Sequence, residues 1–219
     1  MRKSKSLSVL LSCLTALFIL TGSIALPIVL RPFYYAHIGP LALEQSTGLS
    51  REQIVRSYDE MMDFCTGRTR EFSTGILPWS ESGRAHFEDV RGLFLLDLWA
   101  AAITGALLLG WQLLVRKIHL QPYRFRNRGF AFWGSVGLGC GFLLVGALAA
   151  TDFSRAFLVF HSLFFPGKTN WLFDPRTDAI INILPEVFFR NCAIFILVLM
   201  ILMCTLFILW DLRKATNSD

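Results

Sequence analysis

A chain of 219 residues that is 54% hydrophobic, with 20 Phe and 6 Trp and a mean hydropathy of +0.52, carries more apolar side chain than one soluble core can hide. The composition excludes a soluble globular domain and points to an integral membrane protein. The net charge of +5 is no nucleic-acid signal, because the basic residues fall where a membrane topology puts them.

Four apolar segments are long enough to cross a hydrocarbon core about 30 Å thick, which takes roughly 20 helical residues. They run over about 7–30, 93–115, 130–150 and 191–210. The first follows MRKSK and ends near a small-residue Ser23-Ile24-Ala25 site, as a signal peptide would. Its apolar run of roughly 24 residues is too long for a signal h-region, so it reads as a helix.

Orientation follows the Lys and Arg of the short loops. Arg2, Lys3 and Lys5, then Arg116, Lys117, Arg124, Arg126 and Arg128, then Arg213 and Lys214 are crowded into three short stretches. In the longer segments 31–92 and 151–190 basic residues are diluted and mixed with acids. Both termini are therefore expected in the cytoplasm, with the two long loops outside. The fold expected is an all-α, four-helix membrane protein of one domain, 1–219, whose two structured outer loops contain short amphipathic or re-entrant helices.

The first outer loop carries SREQIVRSYDEMMDFC, with a capping-box pattern from Ser50 to Gln53. Ile54, Tyr58, Met61, Met62 and Cys65 recur at helical spacing, with Arg51, Glu52, Arg56, Asp59 and Glu60 on the wet side. Such a helix can lie on the membrane surface or pack on other loops. Gly75 to Gly83, with Pro78, breaks it from the next. From Ser82 to Val115 no proline intervenes, so one helix is expected to rise out of the bilayer and carry His86 about two turns above Leu93.

The second outer loop holds an apolar run over 156–165, too short to span and typical of an interfacial or re-entrant segment. Pro166-Gly167 breaks it. Asp174-Pro175 has the form of an N-cap and N1 proline, so a short helix is expected there, and Pro185-Glu186 opens the fourth span. The five cysteines offer no framework, since only Cys65 lies outside the spans.

Among the four histidines, His119 belongs to the basic cytoplasmic loop and His37 follows Tyr34-Tyr35 in an aromatic belt. His86 and His161 each sit at the outer boundary beside carboxylates and aromatics. Three chemistries remain open for them. A metal-dependent hydrolase could use His86, Asp89 and His161 with Asp152, Asp174 or Asp178, although no paired-His motif supports it. A serine nucleophile could be Ser162 or Ser154, without a G-x-S-x-G elbow. Acid-base chemistry by two histidines lacks the fewest parts. A non-enzymatic protein whose outer loops bind lipid or a partner is the reading from a different class.

HFEDVRGLF at the head of the second span, preceded by LPWSESG, together with FHSLFFPGKTNWLFDPRTDAIINILPEVFF before the fourth, resembles the lipoprotein intramolecular transacylases of Gram-positive bacteria. The resemblance extends over the chain in topology. It implies a cell-membrane acyltransferase that moves the sn-2 acyl chain of a diacylglyceryl-modified lipoprotein to the α-amino group of its N-terminal cysteine, giving a lyso-form lipoprotein. It implies that His86 and His161 are catalytic, with no metal or other cofactor, and that partners are the lipoprotein and membrane lipids.

For that chemistry His86 is assigned as base and His161 as oxyanion or leaving-group partner. Asp89, at i, i+3 from His86, is the expected partner fixing its tautomer. Arg84, Asn170, Trp171 and Asp178 are the supporting candidates, with Asp178, Asp174 and Glu186 also suited to helix capping. The segment 157–165 is expected to form a wall or lateral gate for an acyl chain, with Trp79 and Trp171 at headgroup depth.

Overall fold

The computed structural model describes residues 2–115, 117 and 120–216; Arg116 and His119, assigned above to the basic loop, lie outside them. In chain order the elements are β1 (Arg2–Ser4), α1 (Lys5–Val29), α2 (Arg31–Ile38), α3 (Leu43–Thr47), α4 (Arg51–Cys65), α5 (Glu81–Leu114), β2 (Leu120–Pro122), α6 (Phe130–Thr151), α7 (Phe153–Phe164), a 3-10 helix (Ala179–Ile183) and α8 (Glu186–Thr216). The helices α1, α5, α6 and α8 are long and apolar enough to cross a membrane. Leu96, Trp99, Ile103, Leu107, Leu109 and Leu113 of α5 are exposed, as lipid-facing side chains must be in a protein whose solvent there is hydrocarbon.

The chain divides into two compact units, each assembled from segments remote in sequence. One comprises Met1–Ala25, Asp97–Ala147 and Phe195–Asp219. In it Ile19, Met200 and Cys204 form a buried cluster ringed by Leu138, Phe142 and Met203. A Cβ on Gly134 would stand 2.5 Å from the Ser12 carbonyl oxygen, so the small residue lets α6 and α1 approach backbone to backbone. The first residues pair in parallel with Leu120–Pro122, which composition did not signal. Asp211, buried, accepts the Gly129 N–H at 2.9 Å and pairs with Arg124 at 3.2 Å.

The second unit, Leu26–Leu96 and Leu148–Ile194, carries the candidate site. Its α4 is capped as the sequence implied: the Gln53 N–H bonds Ser50 Oγ, and the Ser50 N–H bonds Gln53 Oε1. Ile54, Tyr58, Met61, Met62 and Cys65 are buried, against protein rather than along a free membrane surface. The Tyr34 and Tyr58 rings stack at 3.7 Å, and the Tyr34 hydroxyl donates to the Ile183 carbonyl at 2.9 Å. Arg31 bridges Asp59 and Asp63 at 3.0 and 2.6 Å. Two of the acids read as wet thus serve the packing, since Asp59 also accepts from Tyr35 and Glu60 from Ser73 and Gly75.

The polar stretch from Ser82 does run without a break into the second span, as α5. The short apolar run is α7, and Glu186 opens α8. The helix expected at Asp174-Pro175 is not there. The Asp174 carboxylate instead accepts from the backbone N–H and guanidinium of Arg176, which closes a turn, and a 3-10 helix follows only at Ala179. Because Ile54 has no exposed surface in this unit, Ile54→Ala is expected to remove about 2–5 kcal/mol of packing, read as a lower melting temperature of the detergent-solubilised protein.

Candidate active site

His86 lies just over one turn into α5, and His161 lies in the last turn of α7. Their positions rest on one buried carboxylate. Asp178, 4% exposed, accepts the Ser80 backbone N–H at 2.9 Å and the Ser80 hydroxyl at 2.8 and 3.0 Å. Thr177 Oγ1 donates to its other side at 3.0 Å. Ser80 in turn caps α5, accepting Gly83 N–H on Oγ and Arg84 N–H on its carbonyl. The Ala179 N–H completes the tie by donating to the Pro78 carbonyl at 3.1 Å. A carboxylate is favoured at that helix end because unpaired N–H groups converge there. Gly83 makes room for it, since any Cβ would collide with Asp178.

This tie places the imidazoles of His86 and His161 with centroids 6.0 Å apart and planes inclined by 31°. Both are nearly enclosed, at 6% and 7% exposure. Phe165 and Phe173 stand edge-on to His86 at 4.9 and 5.4 Å. Phe157 and Trp171 lie against His161 at 4.2 and 4.6 Å. Phe165 ends the segment expected to wall an acyl chain, but its contact with His86, and Phe173 altogether, escaped the sequence reading, because one Phe among 20 gives no signal of which ring faces a histidine.

The two histidines differ in hydrogen bonding. His161 Nδ1 lies 2.8 Å from the Phe157 carbonyl oxygen, which can only accept, so Nδ1 carries the proton and the neutral ring has its lone pair on Nε2. His86 Nδ1 is buried without a hydrogen-bond partner. Both lie outside the apolar span, which begins only after Arg91. Burial, reinforced by the neighbouring His161 and opposed by Asp89, pushes the His86 pKa down to about 4. Burial also lowers His161, while the bond to Phe157 works the other way. Both are therefore neutral imidazoles at pH 7.

Asp89 does not bond His86. Its Oδ1 takes the Lys168 ammonium at 2.6 Å and its Oδ2 takes Asn170 Nδ2 at 3.2 Å. Burial works against its charge, but these donors outweigh burial and hold its pKa below the usual carboxylate value. Trp171 Nε1 donates to the Lys168 carbonyl, so residues 168–171 pass from Asp89 to the face of His161. Arg84 points elsewhere and pairs with Glu88 and Glu81 at the surface. His37 bonds the Phe33 carbonyl and packs on Phe33 and Phe188.

The open alternatives find their groups otherwise engaged. Ser162 Oγ donates to the Leu158 carbonyl and Ser154 Oγ to Glu186. Asp152 caps α7 through the Arg155 N–H. Among the described residues no group of three or more His, Cys, Asp or Glu is gathered as metal ligands would be.

Four helices apolar and long enough to span, with two enclosed histidines brought side by side, define a multi-pass membrane protein. A family model described as lipoprotein intramolecular transacylase Lit matches residues 9–189. The chain belongs to that family, and it is a membrane acyltransferase acting on lipoproteins. A comparison with curated protein sequences finds no match. Among solved structures, the membrane-integral lipoprotein intramolecular transacylase Lit from Bacillus cereus is similar, with a TM-score of 0.80, 24% identity and 98% of each chain covered. Two variants of that protein, in which a histidine is replaced by arginine or by alanine, match at TM-scores of 0.73 and 0.72, each at 23% identity. The first covers 98% of this chain and 96% of its own, and the second 97% and 96%.

The depressed His86 pKa carries a stability consequence. Between about pH 4 and 6.5 the unfolded chain binds a proton there that the folded chain refuses, so stability falls as pH drops through that window and is fully retained above it. The melting temperature is expected to decline from pH 6.5 toward 4, and to decline less in His86→Asn. Gly83→Ala, which drives a methyl into the Asp178 carboxylate, is expected to lower both melting temperature and turnover although neither histidine is altered.

Proposed function

We propose that the chain transfers the sn-2 acyl group of a diacylglyceryl lipoprotein to the α-amino group of the same lipoprotein's N-terminal cysteine, and that His86 and His161 carry the reaction. The observation that supports this most directly is the pair of enclosed imidazoles 6.0 Å apart, one of them with Nδ1 held by the Phe157 carbonyl and its lone pair on Nε2.

The attacking amine has an ordinary pKa near 8 and is largely an ammonium at neutral pH. It attacks the ester carbonyl only after losing a proton. His161 suits the role of base, because its Nδ1–H is held by Phe157 and that bond raises the basicity of Nε2. His86, the weaker base, suits the role of N–H donor to the oxyanion. This reverses the order suggested by sequence.

In the proposed sequence nitrogen bonds the carbonyl carbon, and the carbonyl oxygen of the ester becomes an oxyanion stabilised by His86. The ammonium's first proton has left to solvent before attack, and His161 takes the second, which nitrogen sheds as the new bond forms. The C–O bond to glycerol then breaks and the same proton passes to the departing oxygen, so an ester and an amine become an amide and an sn-2 alcohol with nothing left over. No covalent enzyme intermediate is required, since nucleophile and ester belong to one molecule and proximity can contribute about 7–11 kcal/mol.

The distribution of Lys and Arg favours cytoplasmic termini, which would set α4, the head of α5 and α7 on the outer face of a Gram-positive cell membrane. There the exposed Leu158, Val159, Leu163 and Phe164 of α7 suit an interfacial helix beside the substrate's acyl chains.

Expressed in a host that retains diacylglyceryl lipoproteins, the protein should yield N-acylated lyso-form lipopeptides by mass spectrometry. His86→Asn and His161→Asn should each lower that yield by about 10²-fold or more at normal membrane insertion. Full activity in either variant would remove the two-histidine mechanism, and no acyl shift to nitrogen in the unaltered protein would remove the function.

A further inference from the structure

We propose that the carboxylate of Asp89 is the seat of the substrate's α-ammonium group, and that the Lys168 ammonium occupies this seat until substrate displaces it. The inference rests on the transacylase reading, in which a primary amine must be delivered to the histidine pair.

Asp89 is three residues after His86 on α5 and so shares its face. Its Oδ1 already binds a primary ammonium, that of Lys168, at 2.6 Å. The group required there, the amino terminus of a lipoprotein, has the same chemistry. Asn170 is oriented by the same carboxylate: a carboxylate only accepts, so Nδ2 faces Asp89 at 3.2 Å and Oδ1 faces away. That Oδ1 is buried with no hydrogen-bond partner. A buried carbonyl left unbonded is unfavourable, and the Lys168 ammonium on Asp89 does not relieve it.

Lys168 is suited to leave. Its side chain is 49% exposed, against 25% for Asp89, so the lysine can exchange Asp89 for water while the carboxylate stays in place. The preceding Gly167 has φ +73°, a left-handed conformation open to glycine, which lets the loop turn sharply out of α7. Beyond Lys168, Trp171 lies on His161 at 4.6 Å and donates to the Lys168 carbonyl. An ammonium on Asp89 is therefore one short loop from the His161 ring and one helical turn from His86. The other acids near the head of α5 are less suited, since Glu81 and Glu88 are exposed and both pair with Arg84.

An internal occupant weakens apparent affinity in proportion to the fraction of time it holds the seat. Removing it and removing the seat therefore act in opposite directions, which a merely structural bridge between Lys168 and Asp89 would not do.

The test uses the full chain in lipid nanodiscs and two synthetic lipopeptides with ether-linked alkyl chains, which bind but cannot transfer an acyl group. One has a free N-terminal cysteine amine and the other is N-acetylated. The unaltered protein should bind the free amine more tightly by calorimetry. Asp89→Asn should weaken free-amine binding by roughly tenfold and Lys168→Gln strengthen it by roughly three- to tenfold. Lys168→Arg should resemble the unaltered protein, and the acetylated ligand should bind all of them within about twofold.

Equal affinity of the unaltered protein for both ligands overturns the proposal, and that comparison needs no variant to fold. So does an Asp89→Asn effect of the same size on both ligands, or a Lys168→Gln variant that fails to bind the free amine more tightly. A parallel incubation of the unaltered protein with the ester-linked lipopeptide reads the parent reaction. If no acyl group moves while the amine contrast persists, the transacylase reading fails and the ammonium seat stands.

Discussion

The geometry of the site depends on a carboxylate that is buried and fully bonded. Asp178 accepts from Ser80 twice and from Thr177, and Ser80 in turn bonds the N–H groups of the first turn of α5. A charge enclosed to this degree is unfavourable unless several donors converge on it, and the head of a helix is where donors converge. Two stretches nearly a hundred residues apart, LPWSESGRAHFEDV and WLFDPRTDA, are locked together by that requirement. His86 is carried by the first of them. The loop that ends the second begins at α7, which carries His161.

Much of this was legible in the sequence, and the reason is physical in each case. A span needs about 20 apolar residues, a signal so strong that α1, α5, α6 and α8 are recognisable from composition alone. The capping box at Ser50 and Gln53 was legible because both halves of it are local. That His86 would rise on an unbroken α5 followed from the absence of proline between Ser82 and Val115.

What the sequence obscured was partner choice. Asp89 stands at helical spacing from His86, yet its oxygens go to Lys168 and Asn170, because an ammonium and an amide donor compete better for a carboxylate than an imidazole kept neutral by burial. Asp174 carries the signature of an N-cap, but the adjacent Arg176 reaches it bidentately and a turn results. Both outcomes were set by a cation that local spacing cannot place in three dimensions. The pairing of Arg2–Ser4 with Leu120–Pro122 was hidden for a similar reason, as nothing in either triplet names the other.

The aromatic enclosure of the histidines bears on the reaction's hardest competition. An activated ester near a general base is as open to water as to an amine, and hydrolysis would release a fatty acid instead of moving it. Water at its own concentration of about 55 M is outmatched by an intramolecular amine whose effective molarity can reach about 10⁵–10⁸ M when it is held in attacking geometry. Phe157, Phe165, Phe173 and Trp171 packed around the two rings add to that advantage by leaving little room for a water to be activated. The same enclosure keeps His86 and His161 neutral, and only neutral imidazoles can accept a proton from an amine at physiological pH. In the proposed reaction, apolar burial thus selects the nucleophile and sets the protonation state at once, which lets so small a protein work with two histidines and no nucleophile of its own.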